Sequence, residues 1–353
     1  MLGGFFVFLI QIIKTTTLKP YLSLYFILVL VLLSCEKDNN TNQPSGSDLD
    51  YCTNNNRFSD IDTFSVSDIA SETNVLYGQA EDWQGNLVNL EFDVYYPNDN
   101  VENLENRPAI LLIHGGGFIN GSKEGWADEC IAFAKNGFVA ITMSYRLGWD
   151  TSNPENRINA IYRAQQDANA AMRYIVHNAS DYNIDSNRLF IGGGSAGAIT
   201  ALNVTYGNQE DWNTFIPNIQ VENGSLNGSG NNLIDQFSIK GVFNNWGATF
   251  IDFVQSSEMK PLISFHGDMD STVSIDEGEF GLSGSRVLTN LLDENDVCTD
   301  FTIQLNGGHG IYTTTSGRQF RVDRATCFFK SIMCNSCDTF YSTEQVLPTC
   351  SNP

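Results

Sequence analysis

The chain has 353 residues, 42% of them hydrophobic and 17% charged, which suits one large core of the open α/β kind or two smaller domains. Its 41 acidic against 19 basic residues leave a formal net charge of -22. That balance argues against nucleic acid or any other polyanion as a partner.

Residues 1–35 differ from the rest. Two apolar runs, residues 2–13 and 21–33, are separated by a polar stretch with Lys14, Lys19 and Pro20. The second run is short for a membrane span of roughly 20 residues and has the form of a signal h-region behind a basic segment. It closes on Leu32-Leu33-Ser34-Cys35, which resembles the lipobox of bacterial lipoproteins. The expectation is a lipoprotein signal peptide over 1–35, acylation of Cys35, and export to the outer membrane or cell surface with the lipid as the only membrane contact. Residues 36–58 lack the hydrophobicity to fold and read as a flexible tether. A catalytic domain is expected over 59–338 and a cysteine-containing tail over 339–353.

From residue 74 the pattern is that of a mostly parallel, twisted sheet of about eight strands with helices on both faces. Residues 74–79 and 87–96 alternate apolar and polar around Trp83-Gln84-Gly85-Asn86, which predicts an antiparallel hairpin at the sheet edge. Continuous apolar runs at 109–113, 138–143, 188–191, 239–243, 261–265 and 301–305 have the shape of buried parallel strands. Helices are expected at 125–135, 157–178, 196–206, 283–294 and 317–331, the clearest being 157–178, where Ile158, Ile161, Ala164, Ala168, Ala171, Met172 and Ile175 recur at helical spacing. The stretch 207–236, rich in Asn and Gly, is a small insertion, too polar for a core and too short for a large cap.

Cysteines beyond Cys35 are expected to pair in an oxidising compartment. A bridge from Cys298 to Cys327 or Cys334 would tie the last helix to the strand near Phe301, and Cys130, beside Ile131 and Ala134, reads as a buried free thiol. Cys334 and Cys337 form a CxxC, but no histidine lies nearby, so no metal is expected.

The chemistry concentrates at strand ends. Residues 189–191 run into Gly192-Gly193-Gly194-Ser195-Ala196-Gly197 and then a helix, the strand, turn and helix context in which a GxSxG serine projects its hydroxyl above a sheet. His114-Gly115-Gly116-Gly117-Phe118 follows the first long parallel strand. Its glycines let backbone N–H groups converge, and Gly116 and Gly117, with the N–H of Ala196, are the expected oxyanion donors. Of four histidines, His114 shapes the glycine loop, His177 flanks a helix and His266 ends a strand. His309, in a glycine loop after the last strand, is left as the general base. Asp268 and Asp270, both just past the strand ending at His266, are the candidate acids.

These segments, with Ser144-Tyr145-Arg146-Leu147, the helix through Asp167-Ala168-Asn169-Ala170-Ala171-Met172-Arg173-Tyr174, and Tyr182-Asn183-Ile184-Asp185, resemble the carboxylesterase and hormone-sensitive-lipase branches of the α/β-hydrolase family over roughly residues 75–333. The segment from His266 to Val273 is similar to the family's HGxxDxxV, which implies Asp270 as the acid. The resemblance implies the fold, a Ser195, Asp270, His309 triad and the Gly116, Gly117, Ala196 oxyanion hole. Two positions depart from it: Gly194 stands where the family usually has Asp or Glu, and Ala198 where it has Gly.

The expected reaction is cleavage of a small or polymeric carboxylic ester through an acyl-enzyme, with no cofactor. Phe118, Tyr145, Trp212, Phe215 and Trp246 are candidates for lining the substrate pocket. Without a large cap, short acyl, acetyl, feruloyl or polyester-like substrates are favoured over long-chain lipids. A prolyl-oligopeptidase-type serine peptidase and a catalytically dead surface binding protein are the rival readings. The lipobox is tested by palmitate labelling: the wild type incorporates the label, and Cys35→Ala abolishes it.

Overall fold

The computed structural model describes Cys52, residues 56–102 and residues 104–350. The chain divides into Met1–Ser45 and Gly46–Pro353, and every described residue lies in the second unit. The expected signal peptide, Cys35 and most of the expected tether lie outside the described residues. Among the described residues no helix is long and apolar enough to cross a membrane.

Nine strands form the main sheet: β1 (Ile69–Glu81), β2 (Leu87–Pro97), β3 (Arg107–Ile113), β4 (Val139–Met143), β5 (Ile184–Gly194), β6 (Ile239–Asn245), β8 (Leu262–Gly267), β10 (Thr299–Gln304) and β11 (Phe340–Ser342). Their order is β1-β2-β4-β3-β5-β6-β8-β10-β11. The two pairings of β2 are antiparallel and the others parallel. Two short strands, β7 (Ala248–Phe250) and β9 (Leu282–Gly284), pair separately. The helices are α1 (Ala127–Lys135), α2 (Arg157–His177), α3 (Ala196–Tyr206), α4 (Gln209–Phe215), α5 (Ile219–Asn223), α6 (Ser285–Asp293) and α7 (Thr315–Met333).

Side chains alternate across a strand, and here the alternation divides the apolar residues into two cores. Ala109, Leu111 and Ile113 of β3 join Val139 and Ile141 of β4 and the alanines of α2 in one core. Ile110 and Leu112 join Phe138, Phe190 and Phe243 with Phe133 of α1 and Phe329 of α7 in the other. The β1–β2 hairpin closes because Asp82 Oδ1 accepts the N–H groups of Gln84 at 2.8 Å and Asn86 at 2.9 Å, an Asx-type turn completed by Gly85 at φ 84°.

Helix α2 buries polar as well as apolar residues, and each polar one has a task. Asp167 receives the Arg146 backbone N–H at 2.8 Å and its guanidinium at 2.7 Å, which holds the loop after β4. Gln165 and Gln166 bond backbone carbonyls of residues 203–225, so the polar 207–236 insertion is fastened by hydrogen bonds. It also contributes to a core, contrary to expectation: Trp212 and Ile219 are fully buried.

The C-terminal segment differs most from expectation. The tail supplies β11, a ninth strand, because it pairs in parallel with β10. The expected bridges from Cys298 to Cys327 or Cys334 are absent; the disulfides are Cys52–Cys334, Cys298–Cys337 and Cys327–Cys350. Cys298 directly precedes β10 and Cys337 lies three residues before the neighbouring strand β11, a proximity that linear spacing does not display. Cys334 and Cys337 are both spent in disulfides and offer no thiolate to a metal. The folded domain also begins before residue 59, since Cys52 is cross-linked and Phe58 is fully buried against Phe138. Cys130 is a buried free thiol. Non-reducing peptide mapping is expected to recover these three linked pairs with Cys130 alkylatable only after unfolding; a Cys298–Cys327 or Cys298–Cys334 peptide would contradict the pairing.

Candidate active site

Ser195 sits between β5 and α3 at φ 55° and ψ −123°, a region costly for a side-chain-bearing residue. The surrounding glycines hold it there. A methyl group on Gly193 or Gly197 would overlap the carbonyl of Ile113 at the end of β3. The Gly115 backbone lies against Gly194 and the Cβ of Ser195, so the glycine loop after β3 runs beside the serine.

The same contacts account for the two departures from the family pattern. Indoles of Trp126 and Trp246 fill the space that a side chain on Gly194 would need. Ala198 is accommodated because Gly247 stands opposite it, with no room there for a second methyl.

His309, on the loop after β10, reaches the serine: its Nε2 lies 2.9 Å from Ser195 Oγ and its Nδ1 2.7 Å from Asp270 Oδ2. Asp270 follows β8 and is only 7% exposed. Its Oδ1 accepts the N–H groups of Thr272 at 2.8 Å and Val273 at 3.0 Å, which aims Oδ2 at the imidazole. Burial alone would raise the Asp270 pKa, but hydrogen bonds from His266, His309 and the two backbone N–H groups outweigh it and hold the carboxyl well below its ordinary value. Asp268, the other candidate acid, forms no hydrogen bond or ion pair with His309, and its Oδ1 is buried without a partner. His266 is buried between Ser285 Oγ at 2.7 Å and the Val273 carbonyl at 3.0 Å, with Asp270 Oδ2 at 3.4 Å.

Gly116 and Gly117 have φ of 113° and 62°, conformations that glycine adopts without strain. Asn120 occupies the space beside Gly116, whereas a side chain on Gly117 would meet nothing. Among the described residues neither glycine N–H nor that of Ala196 has a hydrogen-bond acceptor, so all three donors remain available. His114 is buried, stacks on Tyr145 at 4.4 Å and contacts the Gly115 carbonyl through Nδ1 at 2.7 Å. Burial lowers its pKa, which keeps this supporting ring neutral.

Beneath the serine, Asn245 Nδ2 donates to the Gly193 carbonyl at 2.9 Å, and Arg321 of α7 donates to Asn245 Oδ1 at 2.7 Å and Glu129 Oε1 at 2.9 Å. Arg321 also reaches the carbonyl of Tyr312, three residues beyond His309, at 3.2 Å. One buried guanidinium thus braces both the serine turn and the histidine loop.

A cavity of about 210 Å³ opens beside Ser195. Of the five aromatic residues expected there, Phe118 lines it. Tyr145 instead lies under the glycine loop, its hydroxyl bonded to the His114 carbonyl at 3.0 Å. Trp212 is fully buried against Tyr162, Phe250 and Phe253, its indole N–H bonded to Gln165 at 2.6 Å. Phe215 packs on Phe250 at 4.6 Å because α4 turns it back onto that cluster. Trp246 lies behind the serine turn, its ring 6.3 Å from that of His309. The walls unseen in sequence are Trp149, Arg157, Ile161, Ile199, Val273 and Phe280. Arg157 and Ile161 are one turn apart at the start of α2, a spacing that could have marked a shared face. The β7–β9 pair, which sets Leu282 opposite Phe250 and contributes Ala248 and Leu282 to the wall, left no such signal.

The acid stability of the protein is a consequence of the Asp270 environment. A carboxyl whose pKa is lower in the folded than in the unfolded chain contributes stability above its unfolded value of about 4, and that contribution is lost as pH falls toward the folded value. Urea midpoints between about pH 4 and pH 2 are therefore expected to fall less steeply for Asp270→Asn than for the wild type; equal slopes would contradict the assignment.

Residues 92–260 match the BD-FAE family model. Among curated proteins, the chain is 32% identical over 124 residues to endo-1,4-beta-xylanase B of Butyrivibrio fibrisolvens, covering 33% of this chain and 18% of that protein. It is 27% identical over 143 residues to the non-reducing polyketide synthase adrD of Penicillium roqueforti, covering 40% of this chain and 6% of that one. The chain therefore spans only a small part of the length of these relatives. Among solved structures it is similar to a propionate-bound thermophilic esterase from Thermogutta terrifontis, with a TM-score of 0.56 and 18% identity, covering 76% of this chain and 95% of that chain.

Proposed function

We propose that this chain, which has the α/β-hydrolase fold, cleaves carboxylic esters through an acyl-enzyme on Ser195. The observation that carries the reading is the continuous line from Ser195 Oγ through His309 to Asp270, at 2.9 and 2.7 Å. His309 takes the proton of Ser195 as Oγ attacks the ester carbonyl, while Asp270 fixes the ring and stabilises its charged form. The N–H groups of Gly116, Gly117 and Ala196 receive the oxyanion, each donor contributing about 3 kcal/mol. His309 then returns the proton to the leaving alcohol as the carbonyl–oxygen bond breaks. Water, deprotonated by the same imidazole, releases the acid. These side chains and water complete the chemistry.

The cavity beside Ser195 is the acyl side in this reading. His309 must face the leaving alcohol, and it is not among the residues on that cavity's wall. A void of about 150 Å³ already accommodates benzene, so about 210 Å³ accepts acyl groups up to the size of a substituted ring. This favours aryl or short aliphatic acyl groups, including feruloyl and polyester fragments, over long-chain lipids. The likeness to a protein named for acting on xylan supports including esters carried on a polymeric alcohol. Export and tethering through Cys35 complete the proposal and would present the enzyme to extracellular substrates.

The test is turnover of p-nitrophenyl acetate. The wild type is expected to hydrolyse it, and Ser195→Ala to lose about a millionfold in kcat. Equal, serine-independent rates would leave a binding protein as the better reading.

A further inference from the structure

One cation faces the acyl cavity without a task. The Arg157 side chain opens α2 and lines the wall, and the other charged residue there is Glu279. Its guanidinium carbon lies 5.2 Å from the Trp149 ring centre and 5.1 Å from that of Phe280, so two aromatic rings hold it in place. Among the described residues its side chain makes no hydrogen bond, and its Nε is buried without a partner. The Glu279 carboxylate stands 3.9 Å from Arg157 Nη1, beyond hydrogen-bond reach, with its side chain 82% exposed.

The other arginines nearby are occupied. Arg146 bonds Asp167, the Glu81 carbonyl and Gln166, and Arg163 bonds the Gly148 carbonyl and Asn223. The Arg163 Nε is likewise buried without a partner, so what sets Arg157 apart is that, among the described residues, its terminal nitrogens make no hydrogen bond either, on a side chain 38% exposed toward the cavity. In a chain of net charge -22, an idle fork beside the reactive serine is placed for an anion.

We propose that Arg157 is a specificity-determining residue that binds a carboxylate on the far end of the acyl group, so that half-esters of dicarboxylic acids are preferred over neutral esters of the same shape. The inference rests on the ester-hydrolase reading and narrows its substrate class. Arg157 offers a planar pair of donors that matches a carboxylate in bidentate fashion. Glu279 is the resident counter-ion that the substrate displaces. Trp149 and Phe280 keep the guanidinium facing the cavity.

The experiment measures kcat/KM for two matched pairs: methyl hydrogen terephthalate against methyl 4-methylbenzoate, and methyl hydrogen succinate against methyl 4-methylpentanoate. In the wild type the acid member of at least one pair is expected to be preferred. In Arg157→Gln that ratio is expected to fall about ten- to a hundredfold, the weight of a hydrogen bond between charged groups. In Glu279→Gln it is expected to rise, since the competing carboxylate is gone. A neutral preference in both wild-type pairs, or an acid preference that survives Arg157→Gln in a variant with wild-type circular dichroism, overturns the proposal. Failure of the wild type on p-nitrophenyl acetate would instead overturn ester hydrolysis. Calorimetric titration with terephthalate would then decide the anion site alone: binding lost in Arg157→Gln supports it, and no binding to the wild type refutes it.

Discussion

The site depends on backbone meeting backbone where β5 turns into α3. Gly193 and Gly197 press against the Ile113 carbonyl at the end of β3 with no space for a Cβ. That contact fixes the sharp turn and forces Ser195 into its positive φ. Because β3 is the same strand that leads into the glycine loop, one close approach sets the distance between the hydroxyl and the unpaired N–H groups beside it. Strain at the serine is held by packing on every side, including the indoles of Trp126 and Trp246. Preorganisation of this kind lets a site act on a developing charge without first rearranging.

Much of this was legible from residues alone, for definite reasons. The central strands are covered on both faces, so they are written as unbroken apolar runs, and all five expected helices form close to their expected bounds. The serine turn announces itself because glycine is required at close approach. His309 emerged by elimination among four histidines, a method that works only when the alternatives have visible homes. The choice between Asp268 and Asp270 came from resemblance, although a physical signal was present. An aspartate followed by Ser271, Thr272 and Val273 can accept N–H groups two and three residues on, and Asp270 does so.

What remained hidden depends on contacts between segments far apart in the chain. Trp212 sits in a stretch rich in Asn and Gly that read as too polar for a core, and it was expected to line the pocket. It is buried because Gln165, 47 residues away, accepts its indole N–H and four aromatic rings surround it. Tyr145 was expected in the pocket on its position after a strand, yet the direction of its ring is set by His114, stacked upon it. The cavity wall at Phe280 is carried by the turn between β8 and α6, whose place is decided by its pairing with residues 248–250. The cysteine pattern admitted many pairings, and the register of β10 beside β11 selected one of them.

The link between Cys52 and Cys334 has a mechanical consequence. Tension arriving along the chain that precedes Cys52 passes through sulfur into the end of α7, the helix whose Arg321 lies beneath the serine turn. The segment from Cys52 to Ile69, which leads into the outermost strand β1, is thereby out of the load path. A pull that would otherwise unzip the sheet from its edge one hydrogen-bonded pair at a time is delivered to a helix whose Phe320, Phe328 and Phe329 are buried in the core, where many contacts must yield together.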